Sequence, residues 1–317
     1  MVAHLSRSPG FSVLIPAHRA GRTIGATLAS VAAQSTPPAE ILIFEDGRVD
    51  DLATVVEAFA EGTAIPLRLF GSHRNGGVSR ARNALLAEAR SPFVAFLDAD
   101  DLWSPDHLAQ AATAFAQGAD VVFSGVTFID AAGRPLPGRA EPNERQLRDM
   151  APALFHYNFV QCTSTLCLRR TWVEIVGGFD PTLSHGEDLD LWLRLLAGGA
   201  AWQYSGDCTC AYRKHPTSAM GQTLLAVDRM AAFYEKHLRN PLIPRAARRR
   251  ALVNNRRHHA RLNWRRHPAT ARVALQRLAQ LQPWNPLHLA AWVAVSLWGR
   301  LGPGEAIAAS PSVTRSP

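Results

Sequence analysis

Residues 93–103 read FVAFLDADDLW, an apolar run of five followed by aspartates at 98, 100 and 101. A run this short, closed by polar turn chemistry, has the length of a buried strand and not of a helix. Carboxylates delivered at the end of such a strand belong to open α/β sheets, in which ligands sit beyond the carboxyl ends of the strands. The flanking sequence repeats the pattern. Phe11 to Ile15 is an apolar run closed by Pro16; Ile24, Leu28 and Val31 then recur at helical spacing up to the turn Ser35-Thr36-Pro37-Pro38. Ile41 to Phe44 runs into Glu45-Asp46-Gly47, and Leu67 to Phe70 into His73-Arg74-Asn75-Gly76-Gly77. Residues 78–89 and 105–117 have helical patterns, and Val121 to Phe123 is a further strand. Alternating strands and helices predict right-handed βαβ units and an α/β sheet covered by helices on both faces.

Residues 131–150, rich in Pro, Arg and Glu without a period, read as a loop placed to cover the site. Beyond it, Gly186-Glu187-Asp188 opens a helix with Leu189, Trp192, Leu193 and Leu196 on one stripe, ended by Gly198-Gly199.

The charge is divided along the chain. Residues 1–235 hold 19 Lys and Arg against 25 Asp and Glu, whereas residues 236–304 hold 14 basic residues and no acid, within a net charge of +8. This predicts a mildly acidic body (1–235), a basic helical extension (236–304) and a disordered tail (305–317). The start MVAHLSRSPG lacks the apolar stretch of a secretory leader. Four cysteines (162, 167, 208, 210) are too few for a disulfide scaffold, and the one-residue gap in Cys208-x-Cys210 departs from the spacing of structural zinc sites. The expectation is buried thiols and a reducing, cytoplasmic setting.

Asp98, Asp100 and Asp101 allow two readings. Crowded like charges repel unless a cation lies among them, and a hard divalent ion such as Mn²⁺ or Mg²⁺ would bridge them to a phosphate. Alternatively they form a solvated turn capping the helix near Pro105. Glu187 and Asp188 likewise read either as reacting groups or as first-turn acids facing a helix dipole.

Four segments in order, FSVLIPAHRAGRTIGATLASVAAQS, ILIFEDGRVDD, NGGVSRARN with FLDADDLW, and GGFDPTLSHGEDLDLWLR, span most of residues 11–215. Together they resemble the inverting family 2 glycosyltransferases of GT-A fold. The resemblance implies a mixed sheet flanked by helices and a nucleotide-diphosphate sugar donor, UDP-linked by preference. It implies that Asp46 contacts the uracil, that Pro16 and His18 line the nucleoside pocket, and that Asp98 and Asp100 reach ribose and metal, with Asp101 sharing the metal. It assigns the catalytic base to Asp188 in the Glu187-Asp188 pair. Arg82, in a helix start after Asn75-Gly76-Gly77, is a candidate donor-phosphate contact beside Arg80.

Two departures bear on function. Glu45-Asp46-Gly47-Arg48 stands where the family has Asp-Asp-Gly-Ser, and Leu191-Trp192-Leu193-Arg194 lacks the Gln-x-x-Arg-Trp signature of processive synthases, so single-sugar transfer is expected. The rivals are a nucleotidyltransferase, against which Pro16-Ala17-His18-Arg19-Ala20-Gly21 is poor in glycine, and a silent module that binds nucleotide sugars or nucleic acid. Eleven arginines between Arg239 and Arg272 precede an apolar stretch, Leu287 to Trp298, too short to span a bilayer. It fits either an interfacial helix on an anionic membrane, matching a saccharide or lipid-linked acceptor at the inner face of the cell membrane, or a helix packed on the catalytic body with the arginines as its solvated face. Nucleic acid is not expected as a partner.

Overall fold

β1 (Phe11–Ala17) lies inside a seven-stranded sheet and is buried at all seven residues. A strand covered on both faces has no solvent side to alternate toward, which is why FSVLIPA is apolar almost throughout. The computed structural model describes residues 10–214, 223–263 and 268–301, which divide into two compact units. The first is built on residues 10–214 with Asn240–Pro244, the second on residues 223–239 and 245–301.

The sheet runs β10 (Trp202–Tyr204), β6 (Val121–Phe123), β9 (Leu166–Arg169), β4 (Phe93–Phe96), β1, β2 (Glu40–Asp46), β3 (Leu67–Ser72). β1 pairs in parallel with β2 and β4, and β2 with β3. The helices α1 (Ile24–Ala32), α2 (Leu52–Glu61) and α3 (Val78–Glu88) connect these strands as expected. α1 buries Ile24, Thr27, Leu28 and Val31, the stripe its spacing predicts. β9 enters antiparallel between β4 and β6, so the sheet is mixed. Its LCLR is too short for periodicity to reveal.

A second sheet, ordered β5 (Leu102–Trp103), β11 (Cys210–Arg213), β7 (Val126–Ile129), β8 (Pro135–Ala140), corrects the reading of residues 131–150 as a loop. The Asp130 carboxylate accepts from the N–H groups of Ala132 and Arg134, and Gly133 takes φ +83°, which turns β7 into β8. β8 is an edge strand, where proline is tolerated and apolar alternation is not needed. α5 (Glu144–Arg148) then starts at an Asn143/Gln146 capping box.

α4 (His107–Ala116), α6 (Met150–His156), α7 (Arg170–Val176) and α8 (Glu187–Gly198) complete the first unit's named helices. Phe11, Phe93 and Phe115 pack ring to ring at 4.3–6.0 Å beneath the sheet. Where β2 meets β3, a Cβ on Gly71 would lie 2.2 Å from the Glu45 carbonyl oxygen. Gly71→Ala is therefore expected to spread β2 from β3 and to destabilise the fold by on the order of 2–3 kcal/mol, read from the urea midpoint.

In the second unit, α10 (Arg245–Asn263), α11 (Pro268–Leu281) and α12 (Pro286–Leu301) enclose Val253, Ala260, Ala271, Ala274, Leu275 and Leu278, with Ala291 and Trp292 of α12 against them. α9 (Thr223–Lys236) supplies Glu235, which pairs with Arg256 and Arg277. One face of α12 thus serves this unit's own core while Leu287, Leu289 and Val293 are exposed. Among the described residues no helix is long and apolar enough to cross a membrane. The tail 305–317 and Trp298 lie outside the residues whose side chains are described.

Candidate active site

The parallel strands of the first unit deliver polar groups at their carboxyl ends. After β1, Pro16 is buried and His18 is exposed. The His18 Nδ1–H donates to the Asp46 carbonyl oxygen at 2.6 Å; a carbonyl only accepts, so Nδ1 carries the proton. The Asp46 carboxylate accepts from the backbone N–H groups of Gly76 (2.7 Å) and Gly77 (2.8 Å), locking the Asn-Gly-Gly turn over the end of β2. Two of its lone-pair sites are taken and others stay free. Burial raises the neighbouring Glu45 carboxyl above its usual range, against the pull of Arg48 at 3.6 Å.

After β4 the three aspartates separate. Asp98 and Asp100 are half-buried, whereas Asp101 is 1% exposed. The Asp101 carboxylate accepts from the Ser164 hydroxyl at 2.6 Å and the Arg213 N–H at 2.8 Å. Burial, then the charges of Asp100 and Asp98, push its pKa well above the usual carboxylate range. Asp101 thus lies in the interior, beside Cys162 and Cys210, whereas Asp98 and Asp100 are half-buried. The Asp101 N–H donates back to the Asp98 carbonyl at 3.1 Å, which closes a turn over Asp98–Asp101. The three acids do not cap α4: its N-cap is Asp106, whose carboxylate binds Ser104 and Gln110. Of the thiols, Cys167 sits 3.6 Å from the His107 ring and Cys208 against Gly125, so the four do not converge.

Arg82 joins the two halves of the site. Its guanidinium donates to Asp98 Oδ1 at 2.8 Å and to Glu187 Oε1 at 3.3 Å, with the side chain 4% exposed and lying over the Phe179 ring. The adjacent Asn83 exchanges two hydrogen bonds of 2.8 Å with the backbone of Phe179. NGGVSRARN and GGFD, almost a hundred residues apart, are therefore one structural piece.

α8 starts at Gly186, whose φ of +76° suits glycine and which has no side chain to cap with. Glu187 turns to Arg82. Asp188 accepts from the Asn158 amide at 2.9 Å (Oδ2) and from the Leu189 N–H at 2.7 Å (Oδ1). Burial first, and then the Glu187 charge, raise the Asp188 carboxyl to about 7, against the Leu189 N–H and Arg82. A carboxyl that titrates near neutral pH in a polar cleft is suited to accept a proton.

Sequence reasoning missed Asn158, Ser164, Arg194 and Arg213. Ser164 donates to Asp101 and accepts the Asp98 N–H at 3.0 Å, and Arg213 Nε donates to the Asp100 carbonyl at 2.6 Å. Arg194 donates to the Val176 and Gly178 carbonyls, each at 2.6 Å, and pairs with buried Asp190. Apart from the i,i+4 pair Arg194–Asp190, no local pattern marks these residues, because their side-chain partners in the site are 16 to 113 positions away.

A family model described as Glycosyl transferase family 2 matches residues 12–174. The chain is 31% identical over 214 residues to Succinoglycan biosynthesis protein ExoU of Rhizobium meliloti (strain 1021), covering 62% of this chain and 59% of that protein's length. It is 27% identical over 208 residues to UDP-Glc:alpha-D-GlcNAc-diphosphoundecaprenol beta-1,3-glucosyltransferase WfaP of Escherichia coli, covering 65% and 78%. The crystal structure of S. aureus TarS 1-349 in complex with UDP-GlcNAc superposes with a TM-score of 0.65 at 18% identity, covering 92% of each chain, a likeness of fold. With a mixed sheet of GT-A type, the ordered motifs brought together by Arg82 and Asn83, and a family match over half its length, the chain belongs to glycosyl transferase family 2.

Proposed function

We propose that this glycosyltransferase moves a single sugar, with inversion, from a UDP-linked donor to a hydroxyl of a saccharide or lipid-linked acceptor during surface polysaccharide or glycolipid synthesis. The observation that carries this reading is the bridge Asp98–Arg82–Glu187, which ties the donor end of β4 to the start of α8, where Asp188 waits with a carboxyl raised to about 7. The names of ExoU and WfaP support the pathway class, and that of WfaP a UDP-sugar and a diphospholipid acceptor.

Asp98 and Asp100 offer hard oxygen donors at an open strand end and fit Mn²⁺ or Mg²⁺. Such an ion, when bound, stabilises the charge of the departing nucleoside diphosphate. Pro16, His18 and Asp46 line the nucleoside pocket, and Arg82 holds Asp98 toward the diphosphate. Across the sugar, the Asp188 carboxylate takes the acceptor's hydroxyl proton as that oxygen bonds to the anomeric carbon and the bond to the diphosphate breaks. Glu187 neighbours Asp188 and tunes it by charge. Transfer of one sugar fits the absence of a processive signature at Leu191-Trp192-Leu193-Arg194, where Arg194 instead holds the carbonyls of Val176 and Gly178 at and just beyond the end of α7.

The first unit carries this catalysis, and the expected basic extension contributes membrane contact from the second. Exposed Leu287, Leu289 and Val293 of α12, in a unit containing the arginine-rich α10, suit the anionic inner face of the cell membrane.

The test is UDP release from UDP-glucose and UDP-GlcNAc. Release is expected with Mn²⁺ or Mg²⁺ and not with EDTA, and Asp100→Ala is expected to lower it by on the order of 10²-fold or more. If no donor is bound or turned over with either metal, the silent-module reading replaces this one.

A further inference from the structure

The Asn158 side chain stands between a loop with two buried anchors and the candidate base. It follows α6, and Phe159 and Val160 behind it are buried. Gln161 takes φ +70°, a conformation few non-glycine residues adopt, and its N–H and side-chain amide both donate to the Asn158 carbonyl, at 3.3 and 3.2 Å. This bend aims the Asn158 amide at α8, where Nδ2–H donates to Asp188 Oδ2 at 2.9 Å. The other end of the amide, Oδ1, is buried without a hydrogen-bond partner. Orphaned buried carbonyls are rare in folded proteins and call for an explanation.

Resting on the reading of Asp188 as the base, we propose that Asn158 is a positioning residue that serves both protonation states of Asp188. Before transfer its N–H groups hold the carboxylate toward the acceptor. After Asp188 has taken the acceptor's proton, the carboxylic acid needs an acceptor in the same place, and a half-turn of the amide presents Oδ1 there. The two ends of an amide have nearly the same shape, so the half-turn needs no repacking. The orphaned oxygen is the partner of the state that follows transfer. The charged groups acting on Asp188 are Glu187 on its own helix and Arg82 from α3, both already paired, so Asn158 is the neutral partner that can reverse, giving up only the long 3.5 Å bond of its Nδ2–H to the Gln161 carbonyl.

The test uses the full chain with its aspartates labelled with ¹³C at the carboxyl carbon. The resonance lost in Asp188→Asn belongs to Asp188 and is followed from pH 5 to pH 9. Its midpoint in the native chain is expected at about 7. In Asn158→Ala both states lose a partner, but the charge-assisted bond to the carboxylate is the stronger of the two, so the midpoint is expected to rise by about one pH unit, a tenfold change in ionisation. Asn158→Asp, isosteric and charged, is expected to raise it further. Where UDP-glucose is turned over, the acid limb of UDP release moves with the midpoint in Asn158→Ala, and the plateau is reached at higher pH and stands lower, because the carboxylate is no longer held in place. An unmoved midpoint in both folded variants, or a lowered plateau with an unmoved limb, overturns the proposal while leaving Asp188 as base if Asp188→Asn is inactive. An active Asp188→Asn overturns the base assignment and this role with it.

Discussion

Asp188→Asn is expected to lower the turnover of sugar transfer by on the order of 10²–10⁴-fold, the usual contribution of a positioned general base. The affinity for UDP is expected to be unchanged, as measured by calorimetry in the presence of Mn²⁺. The substitution keeps shape and can keep the bond to the Leu189 N–H, while it removes the charge and the capacity to take a proton and turns a donor toward the Asn158 amide. Normal turnover in the variant would falsify the assignment. In the native enzyme only the carboxylate acts, so the rate is expected to fall as pH drops through about 7 and to level off above it. Stability has the opposite slope. A carboxyl whose folded pKa lies above its unfolded value binds its proton more tightly in the fold, so its stabilising contribution is complete below about 4 and is lost as pH rises to about 7. The variant, which does not titrate, is therefore expected to melt above the native protein at pH 8, with the difference closing toward pH 4.

Arg82→Ala is expected to destabilise the first unit by about 3 kcal/mol, the low end for removing one partner of a buried ion pair, because Asp98 keeps 29% of its side chain in solvent. Two carboxylates lose their shared counter-charge, and Phe179 loses the cation over its ring. The midpoint of urea unfolding reads the loss. Arg82→Lys is expected to recover little, since an ammonium is a point charge and cannot fork between Asp98 and Glu187. A native-like midpoint in Arg82→Ala would show that the bridge is solvated and that the two halves of the site are held by Asn83 and Phe179 alone.

The central strands and the helices between them were legible because burial on both faces demands apolar runs, and because α1 repeats its buried residues at helical spacing, whereas α8 buries Leu189 to Leu193 and Leu195 on more than the one expected stripe. The candidate carboxylates were legible too, since Asp46, Asp98 and Asp188 stand where a strand or helix terminus meets polar sequence. β8 and α5 were not. An exposed edge strand has no apolar period to show, and their signals are a turn at Asp130–Gly133 and a capping pair at Asn143 and Gln146.

The sequence alone therefore determined the order of the parallel units and the chemistry available at their ends, for these follow from local periodicity and residue type. Tertiary structure alone decided which acid does what. Asp101 is buried where Asp98 is not, and burial together with the charges of Asp100 and Asp98 raises its carboxyl, against the hydrogen bonds it accepts from Ser164 and the Arg213 N–H. Glu187 and Asp188 are adjacent, yet one meets Arg82 and the other Asn158. Ionisation depends on burial and on neighbours brought from 30 to 112 residues away, and those distances are set only when the chain has folded.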